Sequence, residues 1–454
     1  MISSNHPDPV RDRSPIYPNR FRFDKAQLAT IAHKLELLNP EITVDYICVP
    51  ELDLYGFRAC ADLVPGNIEL IIPLPPLGGT RCIKYPDLNA NCLDAIELAE
   101  GMLFKNTAAN LPLSGAKTAL FIPENFSAND RAAYFEAYGK VHAELNRKRI
   151  VAGKIPSVTA EDSGVTVEDL KNMQKGASTI DLMTVLEAHE TSIDPRIAEA
   201  TRKLLLVSPQ CLVGLEGKSG DPSPMTAYGV FQGGKFLANL HLQKSDLKGV
   251  KVAIKGIAGN VGYPLAMYYL EAGAEVYGSD MIFDIADDKL RREVLSRKIL
   301  LNRYATEGKI ELVSHEDTHR VAGLQIYAPC ALSNDITPEM VEELPEGILI
   351  AGAANIPIAG GRETELGLAT KGIYYAPHFI INCGGVINVC QELVSANYDK
   401  HLAREATAKS VLTGLRENYA VAAPETSKIT PTEAAELAAI AKMEELAIKI
   451  AGNI

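Results

Sequence analysis

The chain has 454 residues, of which 47% are hydrophobic and 22% charged, with a formal net charge of -12 at pH 7. That length implies about two or three domains, and the acidic balance argues against nucleic acid, which asks for a basic face, and against attraction to an anionic membrane surface. No stretch approaches the roughly twenty uninterrupted apolar residues of a membrane span. The eight cysteines form no CxxC pair and no Cys/His cluster of zinc-like spacing, so no metal site is expected. The opening residues 1–20 lack the apolar core of a signal peptide. Free thiols in a reducing cytoplasm are the simplest expectation.

In chain order, residues 24–36 read as a helix with Asp24 as its N-cap. Residues 43–59 and 67–73 read as strands, the second through IELIIP. Helical character over 91–109 is broken at 111–115 by Pro112 and Gly115. A short buried strand over 117–122 and an amphipathic helix over 128–147 follow, an alternation that predicts an α/β region. Helix-like runs fill 166–211, including DPRIAEATRKLLL, where Asp194 is placed to cap and Pro195 to open a helix. GKSGDPSP (217–224) is dense in helix breakers and reads as the approach to a hinge. A helix over 226–240 then leads to a second α/β unit that starts at Lys251.

The second unit opens with a buried strand, 250–254, then Gly256-Ile-Ala-Gly259-Asn260-Val261-Gly262, a helix over 263–272 and a strand over 274–277 that ends at Asp280. Glycines let a backbone approach a pyrophosphate, and a helix N-terminus offers it free N–H groups. A carboxylate after the second strand accepts from adenosine ribose hydroxyls and repels a 2′-phosphate, so Asp280 favours NAD over NADP. The spacing is G-xx-G-xx-G rather than GxGxxG, with Ala258 as the extra residue.

Three ionisable residues stand out upstream. Lys105 sits in GMLFKN at the end of a mostly apolar helix, where a lysine is ordinarily solvated. Lys117 sits in SGAKTAL among Ala116, Ala119, Leu120 and Phe121, and burial there lowers its pKa. Asp162, in TAEDSG, stands after a strand and before a helix, a position most often taken by an N-cap.

Together these segments resemble the glutamate, leucine, phenylalanine and valine dehydrogenase family, most closely its leucine dehydrogenase branch. The motifs that carry the resemblance are PLGGTR (76–81), GMLFKN (101–106), SGAK (114–117), TAED (159–162), GDPSPMTAYGV (220–230), YAPCAL (327–332), GAAN (352–355) and YAPHFIINCGGVINV (375–389). They occur in the family's order and span most of the chain from about residue 30 onward. The resemblance implies an α/β protein of two domains around a cleft: a substrate and oligomerisation domain over 1–225, with 389–454 packing back onto it, and a Rossmann-type NAD domain over 226–388. It implies that Lys117 activates water and Asp162 shuttles protons, while Lys105 holds the substrate carboxylate. Gly78 and Gly79 would let the backbone approach the substrate, and Asn382 would orient it. Thr226 and Asn355 would lie at the nicotinamide end, and the glycine loop of Gly256, Gly259, Asn260, Val261 and Gly262 at the pyrophosphate. The implied side-chain pocket of Leu77, Met102, Ala160, Val386 and Val389 is wholly apolar, which suits a branched aliphatic amino acid and disfavours glutamate. A homo-oligomer is implied as well.

The pattern breaks at three places. The glycine loop has its extra residue, Ser114 stands at a usual glycine, and the stretch between Asp162 and Gly220 is longer than in the leucine branch, with the surplus within 177–211. Two other readings stay open: a biosynthetic member acting on a larger or aromatic amino acid, and a catalytically silent paralogue that binds NAD or builds an oligomer.

Overall fold

The computed structural model describes residues 16–18, 40–63, 74–123, 126, 128–290, 292–394, 398–421 and 429–452. The expected helix at 24–36 and strand at 67–73 lie outside them. The chain divides into two compact units: Met1–Asp221 with Val389–Tyr398 and Ile440–Ile454, and Pro222–Asn388 with Asp399–Ala439.

Among the described residues, the first unit holds a mixed six-stranded sheet in the order β1-β2-β3-β5-β4-β6, where β1 is Ile16–Pro18, β2 Pro40–Val49, β3 Leu54–Leu63, β4 Pro76–Ile83, β5 Ser114–Phe121 and β6 Val158–Glu161. The single strand expected over 43–59 is in fact an antiparallel hairpin, with Ile42 opposite Ala61 and Val49 opposite Leu54. Its turn is a 3-10 segment, Pro50–Leu52, closed by Asp53 at φ 51. Proline presets the turn backbone and aspartate tolerates the left-handed conformation, so polar turn residues interrupt a sequence that otherwise reads as continuously strand-like. β4 carries the PLGG segment and runs parallel to both β5 and β6. Two adjacent glycines make it a poor strand by propensity. Packing requires both: a Cβ on Gly78 would stand 1.5 Å from the Ala116 carbonyl oxygen, and one on Gly79 2.9 Å from the Glu161 carbonyl oxygen.

The helix Leu88–Ala108 starts at Asp87, whose side chain accepts from the Ala90 amide. Its Cys92, Ala95, Ile96 and Ala99 pack on Tyr46, Phe57, Ala59 and Ala119 of the sheet. Tyr134, Phe135 and Tyr138 of the helix Ala128–Val151 cluster with Leu54, Leu120, Leu170 and Met173. The long stretch within 177–211 forms two further helices, Leu182–His189 and Pro195–Val207. Asp194 caps the second through the Arg196 amide and Pro195 is its first residue, as the sequence predicts. Both turn their apolar faces inward, through Leu182 and Leu186 and through Ala198, Leu204 and Leu205.

The second unit holds a wholly parallel sheet in the order β12-β11-β10-β7-β8-β9, where β7 is Lys251–Lys255, β8 Glu275–Ser279, β9 Ile310–Leu312, β10 Ile326–Pro329, β11 Leu349–Ile350 and β12 Tyr374–Tyr375. Renumbered within the unit, this is the 3-2-1-4-5-6 arrangement of the doubly wound dinucleotide fold, whose ligand crevice lies where the strand order reverses. That point falls between β7 and β10, and Val252, Ala253, Ile254, Ile326, Tyr327 and Ala328 there are fully buried, as parallel strands covered on both faces must be.

The C-terminal part departs from expectation. Only 389–398 and 440–454 group with the first unit; 399–439 belong to the second. The helix Lys400–Val421 sits against the helix Ser223–His241 because small residues open the way: Cβ atoms on Gly229 and Gly384 would lie 3.3 and 3.0 Å from the Thr407 methyl.

Candidate active site

In the first unit, Lys117 lies within β5 and Asp162 is the first residue after β6. Lys117 is buried, and its Nζ forms an ion pair with Asp162 Oδ2. Asp162 Oδ1 accepts from the Ser163 amide at 2.6 Å. Asp162 is not a helix cap: the following helix, Val167–Ala177, is capped by Thr166 in a reciprocal box with Asp169. Gly79 makes room for the acid, since a Cβ there would be 2.8 Å from the Asp162 Cβ.

Burial disfavours a charged ammonium. Together with the nearby cations of Arg81 and Lys105, it holds the Lys117 pKa well below the usual lysine range, while Asp94 pulls the other way. Lys105 occupies the last turn of Leu88–Ala108, partly exposed. Met102, also partly exposed, precedes it by about one turn, and Leu77 and Ala160 are buried on β4 and β6. Ser114 is accommodated without crowding: its hydroxyl donates to the Leu74 carbonyl at 3.0 Å and its own carbonyl accepts from Asn106 Nδ2 at 2.7 Å. The crowded position is Gly115, where a Cβ would meet the Ala99 carbonyl oxygen at 2.0 Å.

The sequence reading gave no role to Arg81, Asp94 or Tyr85. Arg81 Nη1 contacts both Asp94 oxygens at 3.2 and 3.1 Å, and Tyr85 donates to Asp94 Oδ2 at 2.5 Å. Arg81 Nε stands 3.9 Å from Asp162 Oδ2. The available signal was the two-residue strand period, which puts Arg81 on the same face as Gly79. Glu161 was also passed over; burial, with Asp221 and Asp169 nearby, pushes its carboxyl up to about 8.

In the second unit, the glycine loop follows β7. Gly256 has φ 87, in the region that favours glycine, and a Cβ on it would press on Ala331 of the loop after β10 at 3.1 Å. Gly262 begins the helix Gly262–Glu271, and a Cβ there would come within 2.0 Å of the Gly256 carbonyl oxygen. This glycine cradle at the strand reversal fits a dinucleotide pyrophosphate. Gly259 donates its amide back to Gly256, and Asn260 accepts from Arg297 at 2.7 Å; Val261 is the residue just before the helix. Asp280 does not stand as a free carboxylate. Its two oxygens accept from the amides of Ala258, at 3.0 Å, and Ile282, at 3.1 Å. The extra loop residue is thus the one that the acid holds, and each oxygen retains a second lone pair.

Asn382 and Asn355 are brought together, Nδ2 of the first donating to Oδ1 of the second at 3.1 Å and to the Ala353 carbonyl at 3.1 Å. Thr226, in the first turn of Ser223–His241, donates to the Pro222 carbonyl at 3.2 Å. Its hydroxyl occupies the space that a Cβ on Gly385 would need.

Residues 72–179 match the family domain described as the Glu/Leu/Phe/Val dehydrogenase dimerisation domain, and residues 217–450 match Glutamate/Leucine/Phenylalanine/Valine dehydrogenase. The chain belongs to the glutamate/leucine/phenylalanine/valine dehydrogenase family. A leucine dehydrogenase of Bacillus subtilis is 33% identical over 73% of this chain and 75% of its own length. An L-tryptophan dehydrogenase of Nostoc punctiforme is 30% identical over 72% of this chain and 75% of its own. The crystal structure of L-tryptophan dehydrogenase from Nostoc punctiforme shares the fold, with a TM-score of 0.61 at 23% identity over 91% of this chain and 99% of that one.

Membership in the family makes the chain an amino acid dehydrogenase. Of the apolar residues implied for the family's side-chain pocket, Leu77, Met102, Ala160 and Val389 fall in the first unit and Val386 in the second. Among the described residues, no group of acids, cysteines and histidines is placed to hold a metal ion, and no helix is long and apolar enough to cross a membrane. The eight cysteines are free thiols; burial pushes Cys82, Cys92, Cys211, Cys330 and Cys390 up to about 12, as expected of inert packing residues.

Proposed function

We propose that the protein is an NAD-dependent dehydrogenase that converts an apolar L-amino acid, a branched-chain aliphatic one foremost, with water to its 2-oxo acid and ammonia, and that runs in reverse as a reductive amination. The observation that carries this reading is the buried Lys117–Asp162 ion pair. A desolvated amine with a lowered pKa beside a carboxylate is the equipment for moving protons near neutral pH.

In this reading the first unit does the proton chemistry. Lys105 holds the substrate carboxylate by a charge-assisted contact. Lys117 orients and polarises the water that attacks the reacting carbon, and Asp162 takes a proton from that water and returns one to the departing amine. Asn382 helps to orient the substrate. The second unit holds the cofactor, with Gly256, Gly259, Asn260, Val261 and Gly262 at the pyrophosphate, Asp280 at the adenosine ribose, and Thr226 and Asn355 at the nicotinamide. NAD supplies one thing when bound, uptake of a hydride from the substrate α-carbon. Substrate choice rests on residue type: Leu77, Met102, Ala160, Val386 and Val389 offer no partner to a carboxylate, whose burial unpaired costs on the order of several kcal/mol. We further propose a homo-oligomer.

The test is NAD reduction with a panel of L-amino acids at alkaline pH. Leucine, isoleucine and valine are expected to turn over and glutamate is not. Turnover confined to tryptophan or phenylalanine would replace the aliphatic substrate with an aromatic one. NAD binding without turnover of any amino acid would overturn the enzymatic reading.

A further inference from the structure

We propose that Arg81 is a positioning residue for the Lys117–Asp162 pair, clamped by Asp94 and Tyr85 so that its cation favours release of the proton the pair shares. The proposal rests on the reading of that pair as the proton-handling groups.

The geometry has three parts. Arg81 Nη1 engages both oxygens of Asp94, and Tyr85 donates to Asp94 Oδ2, so the guanidinium is fixed from behind. Its Nε is buried and has no hydrogen-bond partner among the described residues. Buried donors are ordinarily satisfied, and this one faces Asp162 Oδ2 at 3.9 Å, just beyond bonding distance. Arginine suits the task because it stays charged at any pH the protein meets and its planar fork can bind one acid while facing another.

The charges around Lys117 come from every element packed on it. Asp162 follows β6, Arg81 lies on β4, and Asp94 and Lys105 lie on the helix Leu88–Ala108. The residue opposite Lys117 on β3 is Ala59, without charge. Arg81 disfavours an ammonium at Lys117 and favours a carboxylate at Asp162, so both effects select the state in which Lys117 is neutral and Asp162 ionised. Asp94 has the opposite sign and limits that bias. Removing Arg81 and removing Asp94 must therefore push the pair in opposite directions, which a merely structural role would not do.

The experiment measures the pH profile of kcat/KM for the wild type, Arg81→Gln, Arg81→Lys and Asp94→Asn, with the best amino acid of the panel. The limb set by Lys117 is expected to move alkaline in Arg81→Gln and acid in Asp94→Asn, each by about one pH unit, and to stay near its wild-type position in Arg81→Lys. Should Arg81→Gln fail to fold, the other two variants still carry the sign. A second readout needs no turnover: the pH dependence of Lys117 acylation by acetic anhydride, followed on the folded proteins by peptide mass spectrometry. Shifts in the same direction for Arg81→Gln and Asp94→Asn, or no shift in either, overturn the proposal even if activity falls. Opposite shifts in labelling with a wild type inactive on every amino acid would uphold the electrostatic role of Arg81 and sink the functional reading instead.

Discussion

Lys117 and Asp162 form their ion pair across an intervening strand: β4 lies between β5, which bears the lysine, and β6, which ends just before the acid. The pair meets over Gly79. Gly79 is registered opposite Ala160, and the Thr80–Thr118 pairing sets Gly79 alongside Lys117. A glycine at that point places no side chain of its own against the Asp162 Cβ, which a Cβ there would meet at 2.8 Å.

Gly79→Ala is accordingly expected to damage both catalysis and folding, since its methyl also meets the Glu161 carbonyl oxygen at 2.9 Å. The new methyl would press on the Asp162 Cβ from 2.8 Å and displace the carboxylate. Misplacement on the order of 1 Å costs about 100-fold in rate. Steady-state kinetics beside a thermal melt separate the two effects; unchanged kcat would show that the pair does not act through this geometry.

Lys117→Ala and Asp162→Asn are expected to lower kcat by about 100-fold to 10,000-fold, with NAD binding retained because the glycine loop proposed to hold the cofactor belongs to the other unit. Stopped-flow turnover and NAD titration by fluorescence check both halves. Full activity in either variant would remove that residue from the mechanism.

Glu161 predicts a pH dependence of stability. Its folded-state carboxyl is raised from 4.5 to about 8, first by burial and then by Asp221. The folded protein therefore binds more protons than the unfolded chain between those values, so this group's contribution is present below about 4.5 and is lost as pH rises to about 8. Melting temperatures of Glu161→Gln and the wild type, taken across that window, should show a shallower decline for the variant. Parallel curves would mean that Glu161 titrates normally.

Asp280→Ser is expected to raise KM for NAD by about 10-fold to 100-fold, the range for losing hydrogen bonds to a charged group, and to admit NADP by removing the repulsion of its 2′-phosphate. It also frees the Ala258 amide from the acid that holds it. Kinetics with both cofactors at saturating amino acid decide the matter; an unchanged ratio of kcat/KM for the two would take Asp280 out of cofactor choice.

Most elements were legible where local chemistry was strong. Asp194 with Pro195 gave a helix start to the residue, and the β7, glycine turn, helix and β8 series emerged because a buried strand, a positive-φ glycine and a close helix contact each require particular residue types. The hairpin over 43–59 was misread as one strand because period-two patterning runs through both arms and only Pro50 and Asp53 mark the turn. β4 went unassigned because PLGG lacks strand propensity and earns its place by close backbone packing.

The amino acids in order were enough to mark the parallel nucleotide unit, the family motifs and the candidates Lys105, Lys117 and Asp162, because these depend on contiguous residues whose backbone demands or hydrophobic surroundings are local. Folding alone decided that Lys117 meets Asp162 rather than water, that Arg81 is held by Asp94 from a helix, and that Asp280 grips the loop at Ala258. Those are contacts between residues far apart in the chain, and their energies exist only once strands and helices have been brought together and water has been driven from between them.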